Sequence, residues 1–238
     1  KLIRKLKKLK IVILIGYFIK FMNNSRIEKK FVFGKYQNDF VEKILLINNF
    51  SKVYPDRTIS SIYLDTLNFD FVKDNINGIS ERKKIRVRWY NDDINKIYLE
   101  EKNKRNFFIW KNISKLDIFT SEKNLLNDLK IFLINSNNMK NNNYNYNFIL
   151  KTNYKRNYWL SSNGKIRATI DTEINASPAY NASKIVSLPE TILEFKFSHN
   201  LEYHFRDFFS QKHLNIRSKK YSKYIQSFLA LEESGLIN

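Results

Sequence analysis

Cysteine is absent from the 238-residue chain. That excludes disulfides, thiol nucleophiles and cysteine-ligated metal, and with them the small secreted disulfide scaffold. Histidine is nearly absent too: His199, His204 and His213 are all there is. Their spacing matches no zinc pattern, and they read as surface or helix-packing residues. There is no Gly-x-x-x-x-Gly-Lys-Ser/Thr loop and no kinase signature, so the familiar backbone phosphate cradles are missing. Acids are scarce, 23 against 42 lysines and arginines, which leaves a formal charge of +19. Self-repulsion of that size points to a polyanionic partner: nucleic acid, an anionic membrane or a phosphate-rich ligand. Asparagine is so abundant that the sequons Asn112-Ile-Ser114 and Asn181-Ala-Ser183 are expected by chance.

What is present is enough for a core, since 43% of residues are hydrophobic and 15% aromatic. Residues 1–21 stand apart as an N-terminal extension. Lys1–Lys10 is basic with apolar residues at helical spacing, and Ile11–Phe21 is apolar but too short to span a bilayer. It reads as a signal-like h-region, as a docking or interfacial helix, or as an over-extended start ahead of Met22. Residues 22–238 read as one domain, with no linker to divide them.

The alternation in Glu81–Tyr90 predicts a strand with Arg82, Lys84, Arg86 and Arg88 on one face and Ile85, Val87 and Trp89 on the other. Tyr98–Lys104 is its hairpin partner, with Tyr98, Glu100 and Lys102 sharing a face, and Asn91-Asp92-Asp93 marks the turn. Further strands are predicted at Arg26–Phe33, Ile59–Thr66, Phe107–Lys111, Phe148–Trp159, Lys165–Asp171 and Thr191–Phe197. Helices are predicted at Gln37–Phe50, Phe69–Asn77, Ser121–Ile134, His199–Gln211 and Tyr221–Leu231, with an asparagine-rich loop over Asn135–Asn147. The fold class is α+β, mostly antiparallel, with peripheral helices.

One device recurs from strand to strand. Glu28/Lys30, Arg86/Arg88, Glu100/Lys102, Tyr154/Arg156, Arg167/Thr169/Asp171 and Glu194/Lys196 each set charged or polar residues two positions apart, opposite apolar neighbours. A sheet closed on itself would turn these faces inward and make a charged tunnel. Carboxylates interleaved with cations argue against a nucleic-acid surface, which keeps acids away from phosphates. They argue for a divalent metal–phosphate complex, because Mg²⁺ and Mn²⁺ take oxygen ligands.

With these residues in view, the chain resembles the VTC domain of the vacuolar transporter chaperone polyphosphate polymerases, a branch of the triphosphate tunnel metalloenzymes. The likeness covers roughly Arg26–Phe228. It is carried by Arg-Ile-Glu-Lys-Lys-Phe (26–31), Ile-Tyr-Leu-Asp-Thr (62–66), Arg-Lys-Lys-Ile-Arg-Val-Arg-Trp-Tyr (82–90) and Leu-Glu-Glu-Lys (99–102). Tyr-Lys-Arg (154–156), Ile-Arg-Ala-Thr-Ile-Asp (166–171), Leu-Glu-Phe-Lys (193–196) and Lys-Tyr-Ser-Lys-Tyr (220–224) follow in order.

The resemblance implies a closed eight-stranded β-tunnel that binds ATP and inorganic polyphosphate with Mn²⁺ or Mg²⁺, and no nucleic acid. Lys30, Arg86, Arg88, Lys102, Arg156 and Arg167 would hold phosphates at the catalytic centre. Arg82, Tyr154, Lys196, Lys220 and Lys223 would add substrate contacts. Glu194 would hold the metal, with Glu28 and Glu100 as supporting carboxylates. The implied activity is transfer of the ATP γ-phosphoryl to a growing polyphosphate end. The family's vacuolar residence is not carried over: the chain is expected to be cytoplasmic, with residues 1–21 as its one candidate membrane contact. No obligate protein partner is implied. A tunnel hydrolase of tripolyphosphate or nucleoside triphosphates and a non-catalytic polyphosphate-binding subunit use nearly the same residues and remain rivals.

Overall fold

A computed structural model describes residues 26–106, 108–118, 120–121, 123–135, 146–203, 205–206 and 217–237. The extension of residues 1–21, most of the asparagine-rich loop and the second half of the expected helix His199–Gln211 lie outside them. Among the described residues no helix is long and apolar enough to cross a membrane.

The strands are β1 (Arg26–Gly34), β2 (Phe50–Asp65), β3 (Glu81–Tyr90), β4 (Ile97–Arg105), β5 (Phe108–Leu116), β6 (Asn147–Ser161), β7 (Arg167–Pro178), β8 (Val186–Leu188) and β9 (Glu190–Ser198). The helices are α1 (Asn38–Ile47), α2 (Asp70–Ile76), α3 (Leu125–Asn135) and α4 (Lys223–Glu233). The hydrogen-bonded order is β1–β9–β7–β6–β2–β3–β4–β5, and β8 pairs with β7. The fold is thus an α+β antiparallel sheet, as expected. Closure was also expected. Here the path is open, because among the described residues no ladder joins β1 to β5.

The chain forms two compact units. The first takes its residues from Lys1–Pro55, Asn157–Ile170 and Ile192–Lys220. Its core is aromatic: Phe31, Phe33, Phe50, Trp159, Phe195 and Phe205 pack with Val41, Ile44 and Leu45 of α1. Those three α1 residues fall on one helical stripe, which is why this segment docks as a helix. The helix ends at Ile47, not at Phe50 as the apolar spacing predicts. Asn48 Nδ2 donates to the Ile44 carbonyl at 2.6 Å and Asn49 takes φ 59, so the Asn-Asn pair closes the helix and frees Phe50 to begin β2.

The second unit takes its residues from Asp56–Arg156, Asp171–Thr191 and Tyr221–Asn238. Ile85, Val87 and Trp89 of β3 and Ile97 and Leu99 of β4 enter its core, packed with Leu125, Leu129 and Leu133 of α3. The alternation of β3 therefore puts its apolar half into the core and leaves its even-numbered residues on the other face. Asn91 and Asp92 take φ 51 and 57 where β3 ends, as the turn signal predicts. Buried Asp65 accepts from the backbone N–H of Phe71 at 2.9 Å and of Val72 at 3.1 Å, tying the first turn of α2 to the end of β2.

Candidate functional site

In the second unit the polar face of β3 is continued by register onto both neighbours. Arg86 is paired with Tyr63 of β2 and Glu100 of β4, and Arg88 with Ser61 and Tyr98. Lys84 is paired with Lys102, which is paired in turn with Lys111 of β5. Three lysines thus lie side by side across three strands, an arrangement that repels itself unless anions intervene. Lys84 Nζ donates to Ser222 Oγ at 2.9 Å.

Glu100 is 5% exposed and holds this face together. Arg86 Nε donates to its Oε2 at 2.6 Å, Arg86 NH2 stands 2.5 Å from the same oxygen, and Lys111 Nζ is 2.8 Å from Oε1. Arg88 NH1 is farther away, at 3.8 Å. Burial alone would raise the Glu100 pKa, but Arg86, Arg88 and Lys111 outweigh it and hold the carboxyl down to about 2. Burial next to these guanidinium groups lowers the pKa of Lys111, although Glu100 opposes the shift.

Arg88 carries the network onward. Its Nε donates to Ser61 Oγ at 3.1 Å and its NH2 to the Tyr154 hydroxyl at 3.1 Å. Tyr154 is buried, with Lys223 Nζ 4.5 Å from its ring centroid and the Arg156 guanidinium 5.4 Å away. Burial would raise its pKa, yet Arg156, Arg88 and Lys223 together lower it. Beyond Tyr154 lies Asp171, which has no exposed surface. Arg156 grips it at two points, Nε to Oδ1 at 2.5 Å and NH2 to Oδ2 at 2.7 Å, and Lys223 Nζ also donates to Oδ2. Against the cost of burial these cations hold the Asp171 pKa at about 2. Lys223 is the first residue of α4, whose N-cap is Ser222, so the helix start delivers the cation.

The first unit carries a smaller cluster on the paired strands β1 and β9. Lys30 Nζ lies 3.6 Å from Glu28 and 3.7 Å from Glu194. Lys196 Nζ lies 2.5 Å from Glu194 Oε1 and 3.9 Å from Glu28. Glu194 is 5% exposed, and its Oε1 is ion-paired without being aligned for a hydrogen bond. The Lys30 carbonyl accepts from Lys219 N at 2.9 Å, which lays the segment before Lys220 along β1. Arg167 and Lys196 border an open cleft of about 500 Å³ together with Arg26 and Lys165. Arg167, Lys102 and Lys220 are exposed, while Arg82 is half-buried opposite Lys104.

Sequence reasoning named thirteen of these side chains in site roles besides Glu100, yet it gave no such role to Asp171, Lys111 or Tyr63. Asp171 stood in the two-residue pattern with Arg167 and Thr169, but only the fold shows it as the counter-ion of Arg156 and Lys223. Lys111 and Tyr63 depend on cross-strand register, which no single strand's alternation reveals.

Cations locked on buried carboxylates across an antiparallel sheet give the second unit a strongly cationic polar face. The VTC domain model matches residues 25–232, and the chain belongs to the VTC domain family. Among solved structures, the chain is similar to a Hippeastrum protein described as a candidate adenylyl cyclase with a dominant triphosphatase activity. The identity is 12%, the match covers 90% of this chain and 98% of that one, and the TM-score is 0.56. It is also similar to a candidate adenylate cyclase of Bacillus halodurans, at 15% identity, 85% and 96% coverage and a TM-score of 0.52. At these identities the likeness is one of fold. No curated protein matches the chain.

Proposed function

We propose that the chain is a polyphosphate polymerase that moves the γ-phosphoryl of ATP onto the end of an inorganic polyphosphate chain. The observation that carries this reading is the run Lys111–Glu100–Arg86/Arg88–Tyr154–Lys223/Arg156–Asp171, a continuous line of cations fixed by buried acids, within a VTC domain. Phosphoryl transfer asks chiefly for positioning and neutralisation of spreading charge, which fixed guanidinium forks supply.

A terminal phosphate oxygen of the acceptor attacks the γ-phosphorus, the bond to the β-bridging oxygen breaks, and ADP leaves. The attacking oxygen is already anionic, so no base has to take a proton, and the shortage of histidines costs nothing. In this reading Arg86, Arg88, Lys102 and Arg156 bind phosphates, Tyr154 and Lys223 support them, and Arg82 extends the row. Lys30, Arg167, Lys196 and Lys220 do the same in the first unit.

A divalent ion fits Glu194 and Glu28. Among the described residues no three metal-ligating side chains come together, but Mg²⁺ and Mn²⁺ settle for one or two carboxylates when phosphates and water fill the other positions. Glu194 Oε1 has an ion pair and no hydrogen bond to give up. When bound, such an ion neutralises phosphate charge. Lys30 and Lys196 then exchange their carboxylates for phosphate oxygens. Glu100 is committed to Arg86 and Lys111, so its better role is holding them.

The test is incubation of the purified protein with ATP and Mn²⁺, with products resolved on a polyphosphate gel beside Glu194→Ala and Glu194→Gln. A ladder of long chains that both variants lose supports the polymerase. Phosphate release with no ladder replaces it with a tunnel hydrolase on the same residues. Tight polyphosphate binding with neither product makes the chain a binding subunit.

A further inference from the structure

Helix α1 is apolar on both sides. Val41, Ile44 and Leu45 enter the aromatic core of the first unit. The opposite face carries Phe40, Leu46 and Ile47, joined at its start by Tyr36 from the short 3-10 turn Lys35–Gln37. These four fall at helical spacing with Asp39 and Lys43, so the six share one side. All are exposed, Tyr36 at 95% and Ile47 at 67%. A single apolar side chain on a surface needs no explanation, but a stripe of four along one helix marks a contact face.

The charges on this face say what it fits. Glu42, off the stripe, is held by Lys52 at 3.3 Å. Among the described residues Asp39 and Lys43 have no ion-pair partner. A two-fold axis reverses the order of an acid and a base along a helix. In an antiparallel crossing centred midway between them, Asp39 meets the partner's Lys43, and Lys43 meets the partner's Asp39. The same crossing sets Tyr36 against the partner's Leu46 and Ile47.

We propose that this face of α1 binds a second copy of the chain as a two-fold antiparallel helix pair. The inference is independent of the phosphate-handling reading of the sheet. An anionic lipid surface would repel Asp39, and residues 1–21 contain no acid to meet Lys43. A second copy satisfies both charges at once. The stripe from Tyr36 to Ile47 is only about 16 Å long. Such a pair buries less than the roughly 800 Å² per partner of a stable complex, so the dimer is weak and forms with rising concentration. Each copy carries a formal charge of +19, but at about 0.15 M salt charges more than about 8 Å apart are screened, and the contact itself decides.

The experiment is sedimentation velocity of the full chain at that salt, from micromolar to hundreds of micromolar protein. The wild type is expected to pass from monomer to dimer across the range. Asp39→Lys leaves only cations on the face and Lys43→Asp only acids, so each alone should raise the dimer dissociation constant on the order of tenfold. An equimolar mixture of the two variants should recover the dimer, because each then meets its opposite. Ile47→Ser should weaken self-association without touching either charge. A wild type that stays monomeric throughout overturns the inference. So does a dimer that ignores all three substitutions, or single variants that weaken it without recovery on mixing. A monomeric chain that co-sediments with phosphatidylglycerol vesicles and loses them in Ile47→Ser would give the face to a membrane instead, which also overturns it.

Discussion

Asp171 and Arg156 face each other as a two-point pair, Nε to Oδ1 at 2.5 Å and NH2 to Oδ2 at 2.7 Å, at a place where Asp171 has no solvent contact. The same carboxylate receives Lys223. Two cations assigned to phosphate are therefore aimed by one buried acid. The Asp171→Asn variant keeps the side chain's shape but removes the charge and one acceptor. Arg156 and Lys223 then lose their aim while the positive charge facing phosphate increases. The expected result is a kcat for ATP turnover that falls about 10- to 100-fold, with KM unchanged or lower. A rise in KM alone would show that Asp171 does not position them. Breaking a buried pair also costs roughly 3–5 kcal/mol, so the comparison belongs well below the variant's melting temperature.

Acid should unfold the second unit by way of its two clamping carboxylates. Glu100 is held at about 2 against an ordinary 4.5, and Asp171 at about 2 against 3.8. A carboxyl with its pKa depressed in the folded state stabilises that state above its unfolded pKa and loses the contribution as pH falls toward the folded value. The stability that these groups supply is thus complete above pH 4.5 and disappears between there and about pH 2. It amounts to roughly 3 kcal/mol for Glu100 and about 2 for Asp171. Urea melts across that range should show the decline, and Glu100→Gln should flatten it. An unchanged slope in that variant would remove Glu100 from the account.

Much of this was legible in the sequence, because alternation is a local signal. Ile85, Val87 and Trp89 had to share a face, and they are the core face of β3. Asn91-Asp92-Asp93 marked a turn, and Asn91 and Asp92 take φ 51 and 57 there. Three things were not local. The first half of β2 is exposed at residue after residue, so it shows no alternation and its start at Phe50 went unseen. The three-residue β8 is too short to carry a pattern. The roles of Asp171 and Lys111 depend on which strands lie side by side, and a sequence read strand by strand does not contain that.

The two lysines on Glu194 predict how the protein responds to chelation. Lys30 at 3.7 Å and Lys196 at 2.5 Å already neutralise the carboxylate, so no metal is needed to fold the first unit. EDTA should abolish ATP turnover and leave the melting temperature within about 1 °C, in contrast to a structural metal site. A large fall in melting temperature on chelation would make the ion structural and contradict its placement with the phosphates.

Tyr224 offers the cleanest stability test, because it neighbours Lys223 in α4 yet serves a different purpose. Its hydroxyl donates to Asp65 Oδ2 at 2.6 Å, and its ring stacks on Tyr63 with centroids 4.6 Å apart. Asp65 is fully buried, and that burial raises its pKa despite donors from Tyr224, Phe71, Thr66 and Val72. Each hydrogen bond to such a carboxylate offsets a desolvation cost that water cannot relieve. Tyr224→Phe keeps the stacked ring and removes one of those bonds. The expected loss is about 1–3 kcal/mol, read by denaturant melting, with ligand affinity unchanged because Lys223 still starts the helix from its Ser222 cap. If Tyr224→Phe instead weakened tripolyphosphate binding without lowering stability, the hydroxyl would belong to the site, and Asp65 would have to be counted among the residues that aim Lys223.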